Sequence, residues 1–332
     1  MSAKEYKEQL HEALLNLLWR QWAALGVAAH AGAQNAGSAV LDPEALLLFT
    51  ARFCRCDQRL YDLVLNWLLE HESAVNLPRL KALAKKAAWQ DADSLAYMAA
   101  VVAGNGAKRW QTLAKAHTVA PSGAYEPMFR DWAAGDASYI PMADSLAETY
   151  GFRRNKFERQ HKISPKLPQT TATLLLTLRA CVGATARAEV LLLLLGSPCC
   201  SAAELAQRSG YARSSLHALL QELVAGNVAE EQAAGGSKLY VLRRAEEWRN
   251  LLGVAAPPYF PRWNRLYDAL GLLWETVSNP RLAHLSETTF RGEIARVMKN
   301  GVRQCLLQCG LPPLAAITAE NYADLPAALG VC

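Results

Sequence analysis

The segment from residue 186 to residue 244 constrains the fold more than any other part of the chain, because its helix starts and stops lie too close together to leave much choice. Residues 186–196 form a strongly apolar helical run that Gly196, Ser197 and Pro198 bring to an end. Ser201 followed three positions later by Glu204 is a capping box, which starts a second helix. That helix is brief, because Gly210 supplies a turn. A longer helix is predicted over 212–225, with Leu216, Leu219, Leu220 and Leu223 recurring at helical spacing as its buried stripe. Gly226 and Asn227, which tolerate left-handed backbone, close it. Residues 228–232 and 238–242 flank a glycine-rich tip at 233–237 and read as a β-hairpin.

Helix, short helix, glycine turn, longer helix and hairpin is the order of a winged helix-turn-helix, three helices plus a wing. The second helix of the pair must protrude to enter a major groove, and the hairpin tip reaches the adjacent backbone or minor groove. Through Ala203, Glu204, Leu205, Ala206, Gly210, Tyr211, Ser214, Ser215, Leu216, Leu219, Leu220, Leu223, Gly226, Val228 and Tyr240, the stretch resembles the winged-helix transcriptional regulators of the MarR and ArsR type. The resemblance implies binding of double-stranded DNA, usually as a homodimer on a two-fold operator, with 212–225 as recognition helix and 228–242 as wing. It says nothing of the remaining chain.

Helical spacing places Arg213, Ser214, His217, Ala218 and Gln221 on the exposed face of the longer helix. Ser214, His217 and Gln221 are candidates for base edges, Gln being able to pair with adenine. Arg213 and Ser215, near the helix start, are candidates for phosphates, and Lys238 for the backbone beside the wing. The plainer reading of each is a solvated surface residue. Many relatives carry Arg or Lys where this chain has Ala218, and Glu222 nearby repels phosphate. Across 186–244, Arg187, Arg208, Arg213, Lys238, Arg243 and Arg244 face Glu189, Glu204, Glu222, Glu230 and Glu231, a net of +1. Phosphate neutralisation supplies most DNA affinity, so a winged helix turned to protein contacts stays open as the alternative.

The rest of the chain reads as helical, giving a mainly α protein with helical domains on both sides of the motif. Hydrophobic residues make up 52% and charged residues 20% of the 332, enough to bury real cores. Four segments are expected: an amphipathic arm and linker (1–41), a helical domain (42–161), the winged helix-turn-helix (162–245) and a C-terminal helical domain (246–332). The arm carries Leu10, Leu14, Leu17, Leu18, Trp22 and Leu25 as a stripe, which fits either intramolecular packing or dimerisation. Residues 63–105 echo the motif weakly. Leu83 and Ala84 fall at Leu205 and Ala206, Trp89 at Tyr211, and Gly104 and Asn105 at Gly226 and Asn227. Either this is chance similarity between Ala/Leu-rich helices, or the N-terminal domain is a degenerate second winged helix. In the second case Lys81, Lys85, Lys86, Lys108 and Arg109 would face DNA. Aromatic residues after the wing, among them Trp248, Tyr259, Phe260, Trp263, Tyr267 and Trp274, pack a core or line a pocket for a small-molecule effector.

Several function classes find no support. No phosphate-binding glycine loop, nucleophile elbow or helical metal motif is present, so no catalytic residue, cofactor or metal is expected. The eight cysteines lack paired zinc spacing. No apolar run is long enough to span a bilayer, and the charged start is not a secretory leader, so the expected location is the cytoplasm. A net charge of +5 permits phosphate contact without arguing for it.

Overall fold

The computed structural model describes residues 1–27, 39–87, 91–117, 125–130, 142–161, 163–234 and 237–331. Most of the expected linker at 31–41, Trp89 of the echo and the wing-tip glycines Gly235 and Gly236 lie outside the described residues.

The fold is mainly α, as expected, and local signals place most of its helices. Ser2 and Glu5 form a capping box that opens α1 (Ala3–Ala24). The next four helices each open on an Asp or Asn whose side chain accepts a backbone N–H of the first turn. These are α2 (Pro43–Phe53) behind Asp42, α3 (Gln58–His71) behind Asp57, α4 (Leu77–Lys86) behind Asn76 and α5 (Ala92–Gly104) behind Asp91. Short elements follow: α6 (Gln111–Ala114), β1 (Glu126–Pro127), α7 (Ser145–Thr149) and β2 (Phe152–Arg153), with β1 and β2 paired in parallel.

The motif region comprises α8 (Leu174–Val182), α9 (Ala186–Leu195), β3 (Cys200–Ser201), α10 (Ala202–Ser209), α11 (Arg213–Ala225), β4 (Ala229–Ala234) and β5 (Ser237–Leu242). The wing is antiparallel, with Ala234 opposite Ser237 and Glu231 opposite Tyr240. It is not a bare hairpin. Cys200 and Ser201 pair with Tyr240 and Leu239, so the sheet runs β3-β5-β4 and fastens the wing to the start of α10. The chain ends in α12 (Ala245–Leu251), α13 (Trp263–Val277), α14 (Glu287–Val297), α15 (Arg303–Cys309), α16 (Pro312–Ala315) and α17 (Leu325–Leu329).

The first and last parts of the chain share one core. The α1 stripe is buried within the same chain, with α1 packed on α13 and α17. The Trp22 indole donates to Thr50 Oγ1 (2.8 Å), the Trp263 indole to the Val40 carbonyl (2.7 Å) and the Tyr267 hydroxyl to Gln21 Oε1 (2.5 Å). Each fully buried large side chain contributes roughly 1.5–3 kcal/mol, and these buried donors are matched rather than stranded. Of the aromatic residues after the wing, Phe260, Trp263, Tyr267 and Trp274 are core, whereas Tyr259 is partly exposed. Among the described residues no helix is long and apolar enough to cross a membrane.

Candidate nucleic-acid interface

Local chemistry explains the shape of the helix pair. The Ser201 hydroxyl accepts the Glu204 N–H (3.2 Å), and the Glu204 carboxylate accepts the Ser201 N–H (2.7 Å), which holds that carboxyl below its usual range. α10 ends at Gly210, whose φ of 85° lies in the left-handed region that favours glycine. α11 then buries Leu216, Leu219, Leu220 and Leu223, and its exit is turned by Asn227 at φ 57° rather than by Gly226.

The opposite side of α11 is open. Arg213, Ser214, Ser215, His217, Ala218, Gln221 and Glu222 are all exposed. The cap position is Ala212, which brings no side-chain acceptor to the first backbone N–H groups. Arg213, Ser214 and Ser215 sit together in the first turn, with His217 one turn further on.

The wing joins this face through a residue that the sequence reading counted only as charge. Lys238 lies 2.7 Å from Glu231 Oε1, while Gln221 Nε2 donates to Glu231 Oε2 at 3.4 Å and the Tyr240 hydroxyl to the same oxygen at 3.5 Å. The Lys238 hydrogen bond holds the Glu231 carboxyl below its usual range, and Glu231 in turn raises the Lys238 ammonium. The structure thus brings Gln221 and Lys238 together around one glutamate. The signal for this lay in hairpin register, which sequence spacing across an uncertain turn does not fix.

Other cations of the motif are also engaged. Arg187 pairs with Glu222 at 2.7 Å, Arg208 reaches Ser197 Oγ and the Phe260 carbonyl, and Arg243 donates to Asn227. Among the described residues Arg213 has no carboxylate partner.

A buried ionic network holds the turn between α10 and α11 in place. The Arg79 guanidinium, 2% exposed, donates to Asp42 (2.6 Å), to Glu44 (2.7 Å) and to the Ser209 carbonyl (3.0 Å). Arg179 donates to both oxygens of Glu44 (2.7 Å each) and to Glu189 on α9. The Asn76 N–H completes the Glu44 shell at 2.8 Å, and the Asn76 amide donates to the Tyr211 hydroxyl at 2.5 Å. Burial pushes the Asp42 carboxyl up, but Arg79 more than offsets this and holds it below its usual range. Glu189 is raised by burial, which Arg179 and Arg79 offset only in part. The network joins α2, α4, α8 and α9 to the turn just before α11.

The α3–α5 echo has the helices but not the packing. α10 packs directly on α11, whereas α4 packs on α2. Every residue of α5 from 94 to 102 is buried. Arg109 is spent inside the chain, its guanidinium donating to Glu72 (2.7 Å) and to the carbonyls of Glu72 and Val75. Lys85, Lys86 and Lys108 are exposed and Lys81 is half-buried.

Comparison with known families agrees with this geometry over a short span. Residues 187–233 match the IclR helix-turn-helix domain, which supports the helix-turn-helix read from the residues, and the match does not extend to the rest of the chain. The matched span covers α9, α10, α11 and most of β4 and ends before β5. No curated protein and no solved structure matches the chain.

Proposed function

We propose that this protein is a transcriptional regulator that binds double-stranded DNA, with α11 entering the major groove and the β4–β5 wing lying on adjacent backbone or minor groove. One observation carries the reading. In a helix-turn-helix of the IclR type, the second helix exposes Arg213, Ser214, Ser215, His217 and Gln221 while burying its leucine stripe. Arg213 and Ser215 serve phosphates, Ser214, His217 and Gln221 serve base edges, and Lys238 serves backbone beside the wing. A homodimer doubles these contacts on a two-fold site and offsets the small net charge of each motif.

The Glu231 contacts favour a second reading, a protein-interaction module. They occupy Lys238 and Gln221, and the Arg187–Glu222 pair occupies another cation. Selection of duplexes from a randomised pool, followed by gel shift at rising salt, separates the two. A regulator selects a sequence, binds less tightly as salt rises and weakens about fivefold on Arg213→Ala at near-physiological salt. Failure to select any duplex favours the protein-interaction reading. Binding indifferent to both Arg213→Ala and Lys238→Ala removes the residue assignment.

A further inference from the structure

We infer that α4 extends the DNA-facing surface, with Lys85 and Lys86 holding phosphates that flank the segment read by α11. The inference rests on the DNA-binding reading above. α4 meets the helix-turn-helix at its turn. Arg79 donates to the Ser209 carbonyl, the Asn76 amide to Tyr211, and the Lys86 ammonium to the Gly210 carbonyl at 3.3 Å. A Cβ at Gly210 would sit 3.4 Å from the Leu83 Cδ2, so the Leu83 side chain of α4 packs against the turn as well. Gly210 is three residues before Arg213, the first residue of α11. Lys86 therefore stands beside the end of α11 where phosphate contacts are expected, with the exposed Lys85 next to it in the last turn of α4.

Charge supports this placement. The motif has little free cationic charge, because Arg187 and Lys238 are paired with glutamates. α4 carries no carboxylate, and among the described residues neither Lys85 nor Lys86 has a carboxylate partner. Contact with α4 does not cover the α11 face, which stays exposed from Arg213 through Ser215 and at His217 and Gln221. The buried network fixes α4 to the turn, so the lysines and Arg213 form one preorganised surface. Lysines in a last turn also complement the helix dipole, an effect that thermal melting reads and DNA affinity does not.

The test uses the full chain and the duplex it selects from a randomised pool, with affinity measured by fluorescence anisotropy over a range of salt. Lys85→Ala with Lys86→Ala is expected to weaken binding roughly 30-fold near physiological salt and to reduce the slope of log affinity against log salt by about 2. Base preference stays unchanged, the melting temperature falls only slightly with the loss of the two helix-end charges, and the Lys85→Arg, Lys86→Arg pair restores affinity and melting together. Should the double alanine variant melt early, each single alanine variant is expected to lose about fivefold. If both affinity and slope are unaffected while Arg213→Ala still weakens binding, α4 lies off the DNA and the inference falls alone. If the wild-type chain selects no duplex, the DNA-binding reading falls and takes this inference with it.

Discussion

Two helix triplets in this chain share their spacing and differ in fate. α3, α4 and α5 repeat the rhythm of α9, α10 and α11, and the interval from Leu83 to Asn105 equals that from Leu205 to Asn227. Yet α5 lies inside the core, with Ala96, Tyr97, Ala99, Ala100 and Val101 all buried, while α11 keeps a polar flank in solvent. The residues on the last helix of each triplet decide this. Where α11 carries Arg213, Ser214, His217 and Gln221 opposite its leucines, α5 is apolar around most of its circumference and has to be covered on every side. Equal spacing gives equal helices, but side-chain polarity decides whether the last of them reads the outside or fills the inside.

The sharpest way to break this comparison is to place the same charge on both helices. Ala99→Lys puts an ammonium at a fully buried position of α5 and is expected to cost on the order of 5 kcal/mol, read as loss of the cooperative thermal transition. Ala218→Lys on α11 is expected to change stability by no more than about 0.5 kcal/mol and to raise DNA affinity about fivefold. Comparable melting of the two variants would show that α5 and α11 do not differ as described.

Next in size is the junction between the two triplets. Arg79→Ala leaves Asp42 and Glu44 buried with one partner fewer and strands the Ser209 carbonyl, at a cost of about 3–5 kcal/mol in chemical denaturation. A loss near zero would mean that the network does not hold the turn. The same core contains a carboxylate without such support. Burial pushes Asp268 up to about 6, and Arg265, 3.8 Å away, only partly offsets it. A raised carboxyl binds its proton more tightly when folded, so its contribution is complete at pH below about 4 and is lost as pH rises through 6. Asp268→Asn is therefore expected to be more stable than wild type at pH 7 by about 2–3 kcal/mol, with the difference closing toward pH 4. Parallel pH–stability curves would sink that assignment.

The smallest effect concerns the wing. Glu231→Gln releases Lys238 and Gln221 from a carboxylate and is expected to strengthen DNA binding about fivefold with a steeper salt dependence. Weaker binding would mean that Glu231 organises the face instead of restraining it.

Much of the motif was legible because its signals are local. The Ser201–Glu204 capping box, the left-handed Gly210 and the leucine stripe of α11 act over a few residues, and the structure has them as read. β3 was not legible, since two residues carry no period and Cys200 finds Tyr240 only through the folded hairpin. The Glu231 cluster depended on register for the same reason.

By itself, then, the sequence determined a mainly α chain, a helix-turn-helix with a wing, and which side of α11 faces water, because caps, turns and amphipathic stripes are short-range physics. Tertiary structure alone decided that the two ends of the chain share a core, that α5 is interior, and that Arg79 and Lys86 reach the turn before α11 from more than a hundred residues away. Those contacts join residues whose separation leaves no periodic trace, so only the packed core, and the need to satisfy each charge buried in it, selects them.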